Sequence, residues 1–182
     1  MRFLPTVLDG VILVEATVFP DDRGFFFETY HSERFAANGL PASFVQDNQS
    51  FSNARVLRGL HAQRTRPQGK LVRAIEGSIW DVAVDVRPGS PTFGRWVAEE
   101  LSAENKRQLY VPPSFLHGFQ VLSETARVIY KCTDLYAPND EVGVVWDDPD
   151  LAIPWPVADP VISEKDRKLG SLQELAALLG HG

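Results

Sequence analysis

An internal disulfide is excluded at once, because Cys132 is the single cysteine among 182 residues. The N-terminal stretch MRFLPTVLDGVILVEATVF also lacks the basic-then-apolar order and the small-residue cleavage site of a signal peptide, so a reducing cytoplasm is the expected address. Excess positive charge is missing too. Eighteen Lys and Arg against 24 Asp and Glu give a net charge of -6, which argues against nucleic acid or an anionic membrane surface as partner. An anionic ligand would need a local basic pocket. No apolar run is long enough to span a bilayer, because the hydrophobic stretches are strand-sized and broken by charges. With no internal repeat, low-complexity tract or linker, residues 1–182 read as one domain. A hydrophobic content of 44% is enough for a sizeable core.

What is present is a β pattern. From Val11 to about Val145, short β-branched and aromatic runs alternate with period 2. Turn clusters such as Asp21-Asp22-Arg23-Gly24, Glu76-Gly77-Ser78 and Arg87-Pro88-Gly89-Ser90-Pro91 separate them. Many short strands in series predict a sandwich or barrel. Lys70 to Val86 reads as a hairpin, with KLVRAI and SIWDVAVDV paired antiparallel about Glu76-Gly77 and Gly77 supplying a positive φ. Two helices are predicted. One runs from His31 to Asn38 with Ser32 as N-cap and Gly39 as its stop; the other, Leu172 to Leu179, has a Ser171/Glu174 capping box and ends at Gly180. Pro138, Pro149, Pro154, Pro156 and Pro160 end the regular strands near residue 146, leaving a tail to wrap the barrel.

Alternation places Lys70 with Val72 and Ala74, and Arg73 with Leu71 and Ile75. If the Lys70 face is interior, an ammonium stands where desolvation is costly and is kept beside an anion or for chemistry. A lysine snorkelling from a strand end fits the pattern nearly as well. Ala126, Val128, Tyr130 and Cys132 share an apolar, inward face, on which Tyr130 reads first as a hydrogen-bonded core tyrosine and Cys132 as core filler. Of four histidines, His31 opens a helix and His181 lies in the tail, whereas His61 and His117 sit in strands beside glycines. Gly59, His61 and Gln63 fall on one face and Arg58 on the other, so Arg58 and His61 serve one pocket only if Gly59 makes a bulge or twist. His61-Ala62-Gln63 lacks the His-x-His pair that would put two imidazoles on a shared face, and Arg64 and Arg66 follow instead of a glutamate. A metal site is therefore disfavoured. Asp166, three residues after Ser163, reads as part of a capping box.

Together the stretches Asp22-Arg23-Gly24-Phe25-Phe26-Phe27-Glu28, Gln46-Asp47-Asn48, Arg58-Gly59-Leu60-His61, Gln68-Gly69-Lys70-Leu71-Val72, Asp81-Val82-Ala83-Val84-Asp85, His117-Gly118-Phe119, Tyr130-Lys131 and Ser163-Glu164-Lys165-Asp166 resemble the dTDP-4-dehydrorhamnose 3,5-epimerase family. The resemblance covers nearly the whole chain and implies an all-β, cupin-type jelly-roll barrel with short accessory helices. It implies His61 as the base that removes a proton next to a keto group, Asp166 as its support, Tyr130 as the acid on the opposite ring face, and Lys70 as the stabiliser of the enolate oxygen. It implies Arg23, Glu28, Gln46, Asn48, Arg58, His117, Glu141 and Lys165, with Lys70, as contacts to a dTDP-linked 4-keto-6-deoxy sugar. The arginines suit the diphosphate. No cofactor and no metal are expected, and the expected assembly is a homodimer in which Arg23 and Glu28 complete the neighbour's site.

One departure is Ala62, where the family pattern has an aromatic residue after the base. Three other functions compete: a single-centre epimerase of another deoxysugar pathway, a metal-dependent cupin enzyme, and a non-catalytic sugar-nucleotide binding module.

Overall fold

The computed structural model describes residues 1–180. Its strands form two antiparallel sheets and one detached hairpin. The first sheet orders β1 (Arg2–Pro5), β2 (Ile12–Glu15), β10 (Arg107–Val111), β7 (Lys70–Glu76), β12 (Thr125–Cys132) and β5 (Gln46–Asn53). The second orders β13 (Glu141–Gly143), β6 (Leu57–Gln63), β11 (Phe115–Val121), β8 (Ser78–Asp85) and β9 (Trp96–Ser102). The hairpin joins β3 (Val18–Asp21) to β4 (Gly24–Phe27). This is the cupin-type jelly roll that the resemblance implies, and an instance of the sandwich or barrel that the strand pattern predicts.

Alternation explains where the core lies. Val72 and Ala74 of β7, Leu109 of β10 and Val128 of β12 face Ile79 and Ala83 of β8, Leu101 of β9 and Phe119 of β11, and all are buried between the sheets. Each of these valine, leucine, isoleucine and phenylalanine side chains contributes about 1.5–3 kcal/mol on burial. The outer face of the second sheet, with Leu60, Val82, Val84 and Leu116, is covered by Leu151, Ile153, Leu172 and Leu175. The tail therefore wraps the barrel, and β11 is buried along its whole length. On the outer face of the first sheet, Val14, Leu71 and Tyr110 pack on Phe35 and Leu40.

Two local expectations fail. β7 and β8 do not pair: β7 lies between β10 and β12, and β8 between β11 and β9. β7 runs on through Glu76, which leaves only Gly77 between the strands, one residue short of the shortest common hairpin loop. Gly77, at φ +67°, instead turns the chain from one sheet to the other. A Cβ there would lie 1.9 Å from the Thr125 carbonyl oxygen. In α1 (Ser32–Ala37), Ser32 is the first helical residue and His31 is the N-cap, with no side-chain cap bond. The stop at Gly39 holds, its N–H bonding to Ala36 O at φ +75°. α2 (Leu172–Leu179) has the predicted capping box, with Ser171 accepting from Glu174 N–H, and left-handed Gly180 closes it. His181 lies outside the described residues.

Candidate active site

Gly59 settles which side chains can meet. Its φ is +109°, and opposite it the register between β11 and β6 shifts: His117 pairs with His61 and Phe119 with Arg58. Gly118 alone on β11 thus opposes Gly59 and Leu60 on β6, the irregularity that brings Arg58 and His61 to one cavity. Only glycine fits, because a Cβ on Gly59 would lie 2.6 Å from Gly118 Cα and from His117 O.

That cavity, of about 480 Å³, is lined by Arg58, His61, Lys70, His117, Tyr130, Lys165 and Asp166 among others. A second, of about 320 Å³, shares His61, Lys70 and Tyr130 and adds Gln46, Asn48, Ala62, Tyr136 and Glu141. His61 comes from the second sheet, Lys70 and Tyr130 from the first. Base candidate and acid candidate therefore stand on opposite walls. Of the predicted site residues, Arg23 and Glu28 alone lie elsewhere: Arg23 pairs with Asp21 in the β3–β4 turn, 2.5 Å away, and Glu28 with Arg34 at 2.8 Å.

His61 Nε2 lies 2.8 Å from Asp166 Oδ1. Asp166 Oδ2 accepts from Gly59 N–H at 3.3 Å, and Ser163 Oγ accepts from Asp166 N–H at 3.1 Å. The predicted capping box is thus half made: the serine caps, while the carboxylate is spent on the histidine. Burial alone would raise the Asp166 pKa, but the bonds and charge of His61, Gly59 and Ser163 hold it below the usual carboxylate value. A carboxylate so placed fixes the orientation of the ring. Glu141 Oε1 is 3.8 Å from His61 Nε2 and pairs with Lys165 Nζ at 2.5 Å, while Tyr136 Oη donates to Glu141 Oε2 at 3.2 Å. The Lys165 ion pair raises that ammonium's pKa.

Lys70 opens β7 with Val72 and Ala74 buried on the same face, and its ammonium makes no bond among the described residues. Burial pushes its pKa down, against the pull of Cys132, Glu141 and Asp81. Burial pushes the Tyr130 phenol up, so it keeps its proton over a wider range. Cys132 is buried beside Asn48, whose amide reaches its Sγ at 3.5 Å, and burial raises the thiol pKa. His117 Nε2 meets Asp81 Oδ1 at 2.8 Å.

Sequence reasoning missed Asp81 and Tyr136. Asp81 carried a signal, a charge inside the apolar run of β8, whereas Tyr136 sits in the irregular loop after β12 and carried none. Among the described residues no group of three or more His, Cys, Asp and Glu is placed to hold a metal ion.

A weakly polarised C–H beside a ketone needs a base, an oxyanion partner and, for inversion, an acid across the ring. Fold and cavity together define a cupin-type epimerase. Comparison with known proteins narrows this. The sequence profile of the dTDP-4-dehydrorhamnose 3,5-epimerase family matches residues 5–174. The dTDP-4-dehydrorhamnose 3,5-epimerase of Pseudomonas aeruginosa is 58% identical over 170 residues, 92% of this chain and 94% of that one. Among solved structures, the dTDP-6-deoxy-D-glucose-3,5-epimerase of Legionella pneumophila, in complex with dTDP-4-keto-L-rhamnose, is 46% identical with a TM-score of 0.94 and covers 98% of this chain and 96% of its own. A 3'-monoepimerase of Streptomyces bikiniensis, in complex with dTDP-quinovose, is 35% identical with a TM-score of 0.89, covering 97% and 90%. The chain belongs to the dTDP-4-dehydrorhamnose 3,5-epimerase family, and is an isomerase.

Proposed function

We propose that this chain, acting as one domain, epimerises dTDP-4-dehydro-6-deoxy-D-glucose at C3 and C5 to dTDP-4-dehydro-L-rhamnose. The observation that carries the reading is the pairing of an Asp166-held His61 on one cavity wall with Tyr130 and Lys70 on the other. His61 takes the proton from the carbon next to the keto group, and the C–H electron pair moves into the carbonyl to give an enolate. Lys70 holds the enolate oxygen. Tyr130 then delivers a proton to the opposite face, the ketone re-forms, and the configuration is inverted. The oxidation level is unchanged, so no electron acceptor enters the balance. General acid–base steps of this kind contribute about 10²–10⁴ in rate each, and one oxyanion partner about 3–4 kcal/mol.

Gln46, Asn48, Arg58, His117, Glu141 and Lys165 hold the sugar nucleotide, with Arg58 on the diphosphate, where its planar fork matches phosphate oxygens. Arg58 and Lys165, with Lys70, supply the local basic pocket that an acidic protein needs.

The active unit is a homodimer. Phe19 and Phe26, cross-strand partners on one face of the β3–β4 hairpin, are 58% and 70% exposed, and Phe25 on the other face is 60% exposed, apolar surface that a second copy would cover. Arg23 and Glu28 then complete the neighbour's site. A cytoplasmic address agrees with the one reduced, buried Cys132, and no helix among the described residues is long and apolar enough to cross a membrane.

The test is proton NMR of dTDP-4-keto-6-deoxyglucose with the protein in D₂O. Loss of the C3 and C5 proton signals together supports the reading. Loss at C3 alone makes the chain a single-centre enzyme, the reading that its similarity to a 3'-monoepimerase favours as second. No exchange at either carbon sinks both.

A further inference from the structure

The inward face of β5 is polar along its whole length. Gln46, Asn48, Ser50 and Ser52 point inward in turn, while Asp47, Gln49, Phe51 and Asn53 are exposed. Inward positions of a barrel are normally apolar, so each polar group there needs a partner. Three have one. Gln46 donates to Asn48 Oδ1 at 3.0 Å and accepts from Tyr136 N–H at 2.8 Å. Asn48 reaches Cys132 Sγ, and Ser52 Oγ accepts from Arg58 Nε at 3.0 Å.

Ser50 is the exception. Its Oγ is buried with no hydrogen-bond partner. Its cross-strand neighbour is Val128, which offers no polar side-chain atom. An unsatisfied buried hydroxyl is costly and calls for a reason, and on the wall of a ligand-sized cavity a partner that arrives from outside supplies one. The residue lines the 480 Å³ cavity with His61, Arg58, Lys70 and Tyr130. One rotamer step about Cα–Cβ turns the hydroxyl, and no bond is lost in the turn.

Position decides what it meets. Two residues along a strand advance about 6.6 Å. Ser50 therefore lies one such step from Asn48, which is paired with Tyr130 at the reacting end, and one step from Ser52, which holds Arg58. We infer that Ser50 is a ligand-binding residue whose hydroxyl donates to the sugar-side phosphate of the nucleoside diphosphate, between the reacting ring and Arg58. The inference rests on the sugar-nucleotide reading of the same cavity.

The test is calorimetric titration of wild type and Ser50→Ala with dTDP and with dTMP, which lacks that phosphate, alongside thermal melting. The variant should bind dTDP about tenfold or more weakly, the size of one hydrogen bond to a charged group. Its dTMP affinity should match wild type, and its Tm should not fall, because only an unpaired group is removed. Unchanged dTDP affinity, equal losses for both nucleotides, or a lowered Tm with binding intact would each overturn the assignment. A wild type that binds no dTDP would instead remove the sugar-nucleotide reading beneath it.

Discussion

His61 and His117 stand opposite each other in register on neighbouring strands, and each places its Nε2 2.8 Å from its own carboxylate, Asp166 and Asp81. The two pairs differ in setting. The His61 side chain is about a quarter exposed at 24%, against 8% for His117, and Asp81 is fully buried with Oδ2 unpartnered. Of the two, the more open His61 is the one suited to exchange a proton with a ligand.

His61→Ala should lose nearly all deuterium incorporation, and Asp166→Asn should lose about 10²-fold or more, because the ring is then no longer oriented. Exchange rates by NMR in D₂O check both. Wild-type exchange in His61→Ala would remove it as the base.

Tyr130→Phe should spare part of the exchange while blocking inversion at one or both carbons, since base and enolate partner remain. The products, resolved by NMR, carry the answer. Full inversion in this variant would mean that another group returns the proton.

The alkaline limb of kcat/KM should fall at a pH below that of an ordinary lysine, about 10.4. The sign follows from burial, which lowers the Lys70 pKa, while the Tyr130 phenol is raised and keeps its proton longer. Lys70→Arg should move that limb upward in a pH–rate profile, and an unmoved limb would take Lys70 out of the reaction.

Gly59→Ala should destabilise the fold by about 1–3 kcal/mol, the size of one strained backbone position, and abolish exchange as well. Both φ +109° and the 2.6 Å approach to Gly118 oppose a Cβ. Thermal melting and the exchange assay read the two effects separately.

Phe19→Ser with Phe26→Ser should yield a monomer by light scattering, and Arg23→Ala should weaken dTDP binding without dissociating the dimer. A doubly substituted protein of unchanged mass would place the interface elsewhere.

The two-sheet fold and the inward faces of β7 and β12 were legible because period 2 maps straight onto sheet faces. Lys70 and Tyr130 therefore stood where alternation put them. The Arg58–His61 meeting was legible only as a condition on Gly59, since a bulge is a matter of register between strands and register is not written in one strand. Local spacing read Asp166 only as a cap, and the resemblance alone put it beside His61, because a contact between positions 105 apart leaves no trace in the residues around either one. The β7–β8 pairing misled because Glu76-Gly77 has hairpin composition, while the number of residues left outside the strands was the deciding fact. Ala62 does line the second cavity, so the small side chain widens a wall next to His61.

The single-residue corner at Gly77 also bears on how fast the molecule assembles. Because β7 and β8 part there, β7 finds no partner in a strand beside it in sequence and waits for β10 and β12, while β8 pairs with the next strand, β9, but waits for β11 on its other edge. Few pairings in the centre of either sheet can form early, and the loops between partners must close first. Chains dominated by such distant pairings fold in milliseconds to seconds rather than microseconds. The corner that brings the two walls of the cavity together thus makes it one of the later parts of the protein to take shape.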